Sequence, residues 1–248
     1  MDAPFRPPLR GREPELALIR RRLNQVRAGT GGVIVVEGSA GLGKTRLLDE
    51  CVSMAGELSF RVGRGAAEPG RVIELGALFD ALFEGDLPLA DRRALNDVHA
   101  SSEFLFWLLQ DVQSLIEAAA LKNPVLICLD DLHWAGTSFS LAMRQLPVRL
   151  SSLPVAWVMA FRPEQGLHQV QQAKIELIES GAELIRLGPL NREAVAQVAT
   201  DVLGAEADEE LLQKAERVQG NPFLLVEFFR GLQDDLIVSF DSGRARLV

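Results

Sequence analysis

The pattern of apolar and polar residues along the chain alternates between two kinds of segment. Short runs of continuous apolar residues, such as Val125–Leu129 and Val155–Ala160, are typical of strands that are buried on both faces of a parallel sheet. Between these runs, apolar residues recur every three to four positions, which predicts amphipathic helices. Strands are predicted over residues 33–37, 60–63, 125–129, 155–160 and 183–187. The chain up to residue 188 is therefore predicted to be an α/β, three-layer core with about five mainly parallel strands.

The helices of this core follow from the same periodicity. Pro147 lies inside the last of them and should kink or end it, because proline has no backbone N–H. Segment 85–101 has weak periodicity, so it is predicted to be a loop or short helices. The predicted helices are 13–28, one from the end of the glycine-rich run 38–45 to about Gly56, one near 73–84, 102–121 and 137–150.

From Gly188 onward the pattern predicts helices alone, over residues 192–203, 209–219 and 222–233, with Asn191 and Asp208 as N-caps. The tail from Leu236 reads as a β-hairpin, which is too small to be stable alone. No partner for this hairpin is predicted, and we expect the chain to be a fragment cut at a domain boundary. The predicted organisation is an N-terminal helical segment 1–30, a core 31–188, a helical lid 189–233 and a hairpin tail 234–248.

One motif in the core carries chemistry. The run GSAGLGKT over residues 38–45 follows a predicted strand directly and fits the pattern GxxxxGK[ST]. Backbone N–H groups at the start of the next helix attract phosphate, Lys44 would reach the outer phosphates, and the Thr45 hydroxyl would ligate Mg²⁺. A plain glycine-rich turn is the alternative, but a chance match in this chain has a probability of roughly two in a thousand. The residues predicted to contact the nucleotide here are Gly38, Ala40, Gly41, Leu42, Gly43, Lys44, Thr45 and Arg46.

Two further positions would complete a nucleotide site. A phosphate loop needs a carboxylate from a neighbouring strand to hold Mg²⁺, and the strand 125–129 ends in Asp130 and Asp131. Asp130 is predicted to hold the metal, and Asp131 to orient an attacking water if hydrolysis occurs. Arg162 follows another strand directly, where it would sense or stabilise the outer phosphate, with a surface ion pair as the alternative.

Composition and charge restrict the other functions. The net charge is −8 over 248 residues, whereas a DNA-binding domain is expected to be basic. The N-terminal residues lack the apolar core of a secretory signal, and no apolar run is long enough to span a membrane. Cys51 and Cys128 fall on apolar segments and are expected to be buried thiols without a disulfide, as in a reducing cytoplasm.

Five motifs occur in order along nearly the whole chain: LRGRE at 9–13, GSAGLGKT at 38–45, LICLDDLHWAG at 126–136, AFRPE at 160–164 and GNPFLLVEFF at 220–229. Together they resemble the ATPase module of large, MalT-like LuxR-family transcriptional regulators. These regulators belong to the signal-transduction ATPases with numerous domains (STAND).

The resemblance implies an ATP/ADP switch with Mg²⁺ whose nucleotide state controls self-association. It implies that Arg12 lies close to the nucleotide and that Arg162 is a sensor. It also implies that Asn221 and Pro222 approach the nucleotide from the helical lid. His133 and Trp134 belong to the same motif and are interpreted as structural or switch residues. DNA would be bound only through a helix-turn-helix domain that is absent from this chain.

Two departures from the family pattern bear on turnover more than on binding. Gly136 stands where the family usually has Asp, and Pro147 interrupts a helix that is usually continuous. We therefore expect a slow Mg²⁺-dependent ATPase.

Two alternative functions stay open from the residues alone. A P-loop small-molecule kinase would need an arginine-rich lid, but the lid has only Arg192, Arg217 and Arg230. An AAA+ ring ATPase usually has Glu at the position of Asp131, and it needs an arginine finger that cannot be assigned here.

Overall fold

The computed structural model describes residues 8–70, 75–85, 87–95, 104–163, 165–235, 237–241 and 243–247. These residues form two compact units. The sheet unit comprises Glu15–Gly38 and Lys44–Arg186, and the helical unit comprises the described residues of Met1–Pro14, Ser39–Gly43 and Leu187–Val248. Each unit has its own apolar core. The division of the chain into four parts stays a prediction.

The sheet unit contains a five-stranded sheet in which every strand pair is parallel. The order of the strands is β2-β3-β4-β1-β5. Every residue of β3 and β4 is buried, as the unbroken apolar runs predicted. The predicted α/β fold with a mainly parallel sheet is therefore confirmed. The strands are β1 Gly32–Glu37, β2 Arg61–Ala66, β3 Val125–Asp130, β4 Val155–Phe161 and β5 Glu183–Arg186.

Helices connect these strands. Residues 73–74 and 102–103 of two predicted helices, and residues 86 and 96–101 of the weakly periodic segment, lie outside the described residues. The described part of that segment contains a short 3₁₀ turn at Arg92–Ala94, where the Asp91 side chain accepts a hydrogen bond from Arg93 N. The helices are α1 Glu13–Arg27, α2 Lys44–Glu57, α3 Gly76–Phe83, α4 Phe104–Ala120, α5 Thr137–Arg149 and α6 His168–Glu179.

Proline and glycine explain two details of this packing. Pro147 lies inside α5, but the helix continues to Arg149, since a missing N–H in the last turn removes only one backbone hydrogen bond. The helix therefore does not end at Pro147, and the alternative prediction of a kink there stays a prediction. α3 packs directly against β2, and only glycine leaves room for this contact. A Cβ on Gly63 or Gly65 would come within 2.1 or 1.8 Å of an α3 carbonyl oxygen.

The helical unit contains three helices, namely α7 Arg192–Leu203, α8 Glu209–Ala215 and α9 Pro222–Asp234. α8 is shorter than the predicted 209–219, because the chain continues after it as a 3₁₀ turn over Glu216–Val218. The predicted N-caps are present: the side chains of Asn191 and Asp208 accept hydrogen bonds from Ala194 N and Leu211 N, each at 2.9 Å.

The prediction of helices alone after Gly188, with a hairpin lacking a partner, was wrong. The hairpin strands β7 Val238–Asp241 and β8 Arg244–Leu247 pair antiparallel, and β8 also pairs in parallel with a short strand β6 at Glu206–Ala207. A strand of two residues is too short to show any periodicity, so the sequence pattern could not reveal it. None of the helices in the described ranges has the length and apolar character needed to cross a membrane.

Candidate nucleotide site

The phosphate loop begins where β1 ends. Gly38 N donates to Phe161 O at 3.2 Å, which extends the pairing of β1 and β4 into the loop. Gly41 and Gly43 have φ values of +78° and +90°, a region that residues with side chains rarely adopt. Successive N–H groups in such alternating conformations form a concave surface that binds anions. The predicted turn is therefore present with the backbone that phosphate binding needs.

Lys44 and Thr45 are the first two residues of α2, within the sheet unit. Lys44 is only 6% exposed, and its Nζ donates to Gly38 O at 2.9 Å. Burial lowers the pKa of Lys44, while the negative charge of Asp131 raises it and the positive charge of Arg162 lowers it. Lys44 thus lies in the electrostatic field of both predicted catalytic partners.

Asp130 is the last residue of β3 and faces the same helix end. Its Oδ2 accepts a hydrogen bond from Thr45 Oγ1 at 2.6 Å, and its Oδ1 accepts one from Asp131 N at 2.8 Å. Asp130 is 5% exposed, so its carboxylate is held in a fixed orientation. The sequence predicted a carboxylate from a neighbouring strand, but β4 lies between β1 and β3. Asp130 still reaches Thr45, because the carboxyl ends of parallel strands meet at one edge of a sheet.

Arg162 and His133 complete the charged cluster of the sheet unit. Arg162 follows β4 directly, and its buried Nε has no hydrogen-bond partner among the described residues. His133 is 2% exposed, and neither ring nitrogen has a hydrogen-bond partner within the described ranges. Its Nδ1 lies 3.7 Å from Asp131 Oδ1. Burial lowers the pKa of His133, and the charges of Arg162 and Lys44 lower it further against the opposite effect of Asp131 and Asp130.

The remaining predicted site residues include Arg12, Ala40, Leu42 and Pro222, all in the helical unit. Arg12 is 5% exposed, and its Nη2 donates to Gly188 O at 2.5 Å and to Leu42 O at 3.3 Å. Pro222 is the first residue of α9. Arg12 thus contacts the phosphate loop through a backbone carbonyl.

The resemblance also implied that Asn221 approaches the nucleotide, and the structure shows that this residue contacts the phosphate loop. Asn221 Nδ2 donates to Ala40 O at 3.1 Å, and Phe223 N donates to Gly41 O at 3.2 Å. The contact with Ala40 itself was not predicted, because Ala40 lies 181 residues away and spacing along the chain does not identify such a partner.

Arg46, also predicted to contact the nucleotide, lies in the first turn of α2. Its guanidinium pairs with Glu50 at 3.1 Å, one helical turn further on. The structure places it on α2 beside the phosphate loop sequence, with an ion pair along the helix.

The side chains present fit Mg²⁺ and a polyphosphate. Thr45 Oγ1 and the Asp130 carboxylate are oxygen ligands, which Mg²⁺ prefers. Lys44 and Arg162 supply positive charge, and the buried Arg162 Nε is a donor with no partner in the described part of the chain. Among the described residues there is no cluster of three or more His, Cys, Asp or Glu that would hold a metal by itself.

The parallel sheet, the phosphate loop after β1 and the acidic end of β3 define the class of P-loop nucleoside triphosphatases. Within this class, the AAA ATPase domain family matches residues 8–158, which is more than half of the chain. The chain belongs to this family.

Solved structures with the same fold were also found. The Aeropyrum pernix ORC1 protein in complex with DNA has a TM-score of 0.59 at 15% identity, with 97% of this chain and 64% of that chain covered. The replication initiator DnaA bound to AMPPCP and single-stranded DNA has a TM-score of 0.51 at 13% identity, covering 90% and 61%. A STAND protein with a tetratricopeptide repeat sensor from Pyrococcus horikoshii has a TM-score of 0.51 at 17% identity, covering 90% and 31%.

These identities are low, so the likeness is one of fold. The chain spans less than two thirds of the length of each of these three proteins. No curated protein sequence matches the chain.

Proposed function

We propose that the chain binds ATP with Mg²⁺ at the phosphate loop, hydrolyses it slowly, and acts as a nucleotide-dependent regulatory switch. The observation that carries this proposal is the convergence of Lys44, Thr45 and Asp130 at one edge of the sheet, with Thr45 Oγ1 and Asp130 Oδ2 only 2.6 Å apart. The sequence places the lysine and the hydroxyl on one helix and the carboxylate 85 residues away. Such a convergence is what phosphate and metal binding require.

Each residue of the cluster has a role in this proposal. The loop N–H groups and Lys44 bind the phosphates, and Thr45 and Asp130 hold Mg²⁺. When bound, Mg²⁺ would neutralise charge on the outer phosphates. Asp131 accepts a hydrogen bond from the attacking water and orients it. Arg162 binds the outer phosphate, which distinguishes ATP from ADP.

The regulatory part of the proposal has three supports. The motifs resemble those of LuxR-type regulators, the chain belongs to the AAA ATPase domain family, and a STAND protein shares its fold. In this proposal ATP favours self-association, and DNA is bound only through a helix-turn-helix domain outside residues 1–248. The adenine nucleotide is supported by the AMPPCP named with the DnaA structure. Cys51 and Cys128 are free and buried, which suits a reducing compartment such as the cytoplasm.

Family membership favours an AAA-type ATPase over a small-molecule kinase. A ring-forming AAA+ ATPase is the nearer alternative, but Asp131 stands where such enzymes usually have Glu. A nucleotide-dependent hexamer would favour that alternative.

Replacing Lys44 tests the proposal. In the Lys44→Ala variant we expect ATP affinity, measured by isothermal titration calorimetry with Mg²⁺, to fall by about a hundredfold or beyond detection, because a charge-assisted contact to phosphate is lost. Lys214→Ala is a matched control, since Lys214 is exposed on α8 and pairs only loosely with Glu210 at 3.4 Å. Unchanged ATP affinity in Lys44→Ala would remove the proposal.

A further inference from the structure

Within the helical unit, three successive carbonyl groups of the phosphate loop each accept a hydrogen bond. Ala40 O accepts from Asn221 Nδ2 at 3.1 Å, and Gly41 O accepts from Phe223 N at 3.2 Å. Leu42 O accepts from Arg12 Nη2 at 3.3 Å. The loop carbonyls are therefore held by α9 and by the segment before α1.

Holding a carbonyl fixes the N–H group that follows it. The C=O of one residue and the N–H of the next lie in one planar trans peptide and point in opposite directions. The three held carbonyls thus direct the N–H groups of Gly41, Leu42 and Gly43 to the other side of the loop. Leu42 N makes only a long contact, 3.4 Å, to Ser39 O. These are the N–H groups that we expect to bind phosphate.

Asn221 is the side chain best suited to this task. Its Oδ1 accepts from Phe223 N at 3.1 Å and from Leu224 N at 3.3 Å, which caps α9, while its Nδ2 donates to the loop. An amide supplies an acceptor and a donor at once, whereas a carboxylate supplies acceptors alone.

Gly41 shows how closely this side chain approaches the loop. A Cβ at Gly41 would lie 2.5 Å from Asn221 Oδ1, and the φ of Gly41 is +78°. Glycine at this position is therefore required twice, by the backbone conformation and by the contact with Asn221.

We propose that Asn221 is a positioning residue for nucleotide binding: by holding Ala40 O, it fixes the phosphate loop in the shape that binds phosphate. The inference rests on the proposed function, because it presumes that the loop binds ATP. Asn221 acts on the loop and not on the nucleotide, so replacing its amide should lower the affinity for ATP and the affinity for ADP by the same factor.

Two substitutions distinguish the two roles of Asn221, as a donor to Ala40 O and as the N-cap of α9. Asn221→Asp and Asn221→Ser both keep a good N-cap for α9 and both lose the amide donor, and only the first adds a charge. Asn191→Asp is the matched control. It replaces the same amide by the same carboxylate at an N-cap, but Asn191 caps α7 through Ala194 N and does not contact the phosphate loop in the described structure.

Calorimetry with ATP and ADP and a thermal melt of each variant give the test. We expect both Asn221 variants to stay folded, with melting temperatures within about 4 °C of the wild type. They should bind ATP and ADP about tenfold more weakly, as expected for one lost hydrogen bond. KM for ATP should rise by the same factor with kcat unchanged, since Asp131 and Arg162 are untouched. Asn191→Asp should behave as the wild type.

The outcomes distinguish this inference from the function on which it rests. If the wild type binds no nucleotide, the proposed function fails. If the wild type binds ATP and both Asn221 variants bind it equally well, the role of Asn221 is wrong and the proposed function stands. Loss of affinity in Asn221→Asp alone would also overturn the inference, because the added charge would then explain it.

Discussion

At the scale of single residues, Asp131 has a backbone conformation that few residues with a side chain adopt. Its φ is +50°, in the left-handed region, and its N–H donates to Asp130 Oδ1 at 2.8 Å. Asp is among the residues that tolerate this region, and such outliers often occur at functional sites. The turn separates the two carboxylates, so that one faces Thr45 and the other faces His133.

His133 gives a prediction on pH at the same scale. Burial lowers the pKa of His133 below its ordinary value, so below about pH 6.5 the unfolded chain binds a proton that the folded protein does not. His133 therefore lowers the free energy of unfolding as the pH falls, because protons favour the unfolded state. In His133→Gln, the free energy of unfolding from urea titrations without nucleotide should fall less between pH 7.5 and pH 5.5 than in the wild type.

The control for this experiment is His168→Gln, because His168 is exposed at the start of α6. It should keep the wild-type dependence on pH. Equal slopes for wild type and His133→Gln would show that the buried imidazole titrates as it does in the unfolded chain.

The candidate site residues were predictable from the sequence to different degrees. Lys44, Thr45 and Asp130 could be predicted because each belongs to a short motif that directly follows a predicted strand. Asn221 and Arg12 contact the loop across long stretches of chain, so no local pattern reveals their partners.

At the scale of secondary structure elements, a buried ion pair joins α6 to the end of β1. Lys174 Nζ lies 2.5 Å from Glu37 Oε1, and their side chains are 8% and 17% exposed. The Lys174 ammonium also lies 5.9 Å from the centre of the Phe161 ring, beside Arg162 in sequence. Glu37 directly precedes Gly38, so this pair anchors the strand that leads into the phosphate loop.

Breaking this pair should destabilise the fold. In Lys174→Met we expect the free energy of unfolding to fall by about 3 kcal/mol, because the Glu37 carboxylate stays buried without its closest partner. Arg186, whose Nε lies 3.7 Å from Glu37 Oε2, offsets part of the loss. Urea denaturation measures the effect, and exposed Lys122→Met is the matched control.

The double variant Glu37→Gln with Lys174→Met should recover part of this stability, since no carboxylate is then left buried. A loss below about 1 kcal/mol in the single variant would mean that the pair is effectively solvated.

Periodicity predicted the long elements well and the short ones poorly. The bounds of α7 agree with the predicted 192–203, because a capping Asn191 and a regular apolar stripe mark that helix. β6 was missed, because two residues cannot show a period and its partner strand β8 lies far along the chain. The periodicity of the sequence therefore does not predict a short strand, such as β6, that forms only by pairing with a strand far along the chain.

At the scale of the whole molecule, the chain belongs to the AAA ATPase domain family, whose model matches residues 8–158, and it divides into a sheet unit and a helical unit. The sequence predicted the five strands of the parallel sheet but not their order, since β4 lies between the strands that carry the phosphate loop and Asp130. That Thr45 and Asp130 lie at the same edge of the sheet was predictable without that order, because all strands are parallel. Their contact also depends on the order, which puts only one strand between β1 and β3.

Hydrogen–deuterium exchange measured by mass spectrometry, with and without Mg²⁺ and ATP, tests the central claim most directly. It shows where the nucleotide binds as well as whether it binds. We predict the strongest protection in peptides that cover residues 38–46 and 128–133, where the phosphate loop and the acidic end of β3 lie. Unchanged exchange in both peptides at saturating ATP, or protection confined to other parts of the chain, would contradict the account.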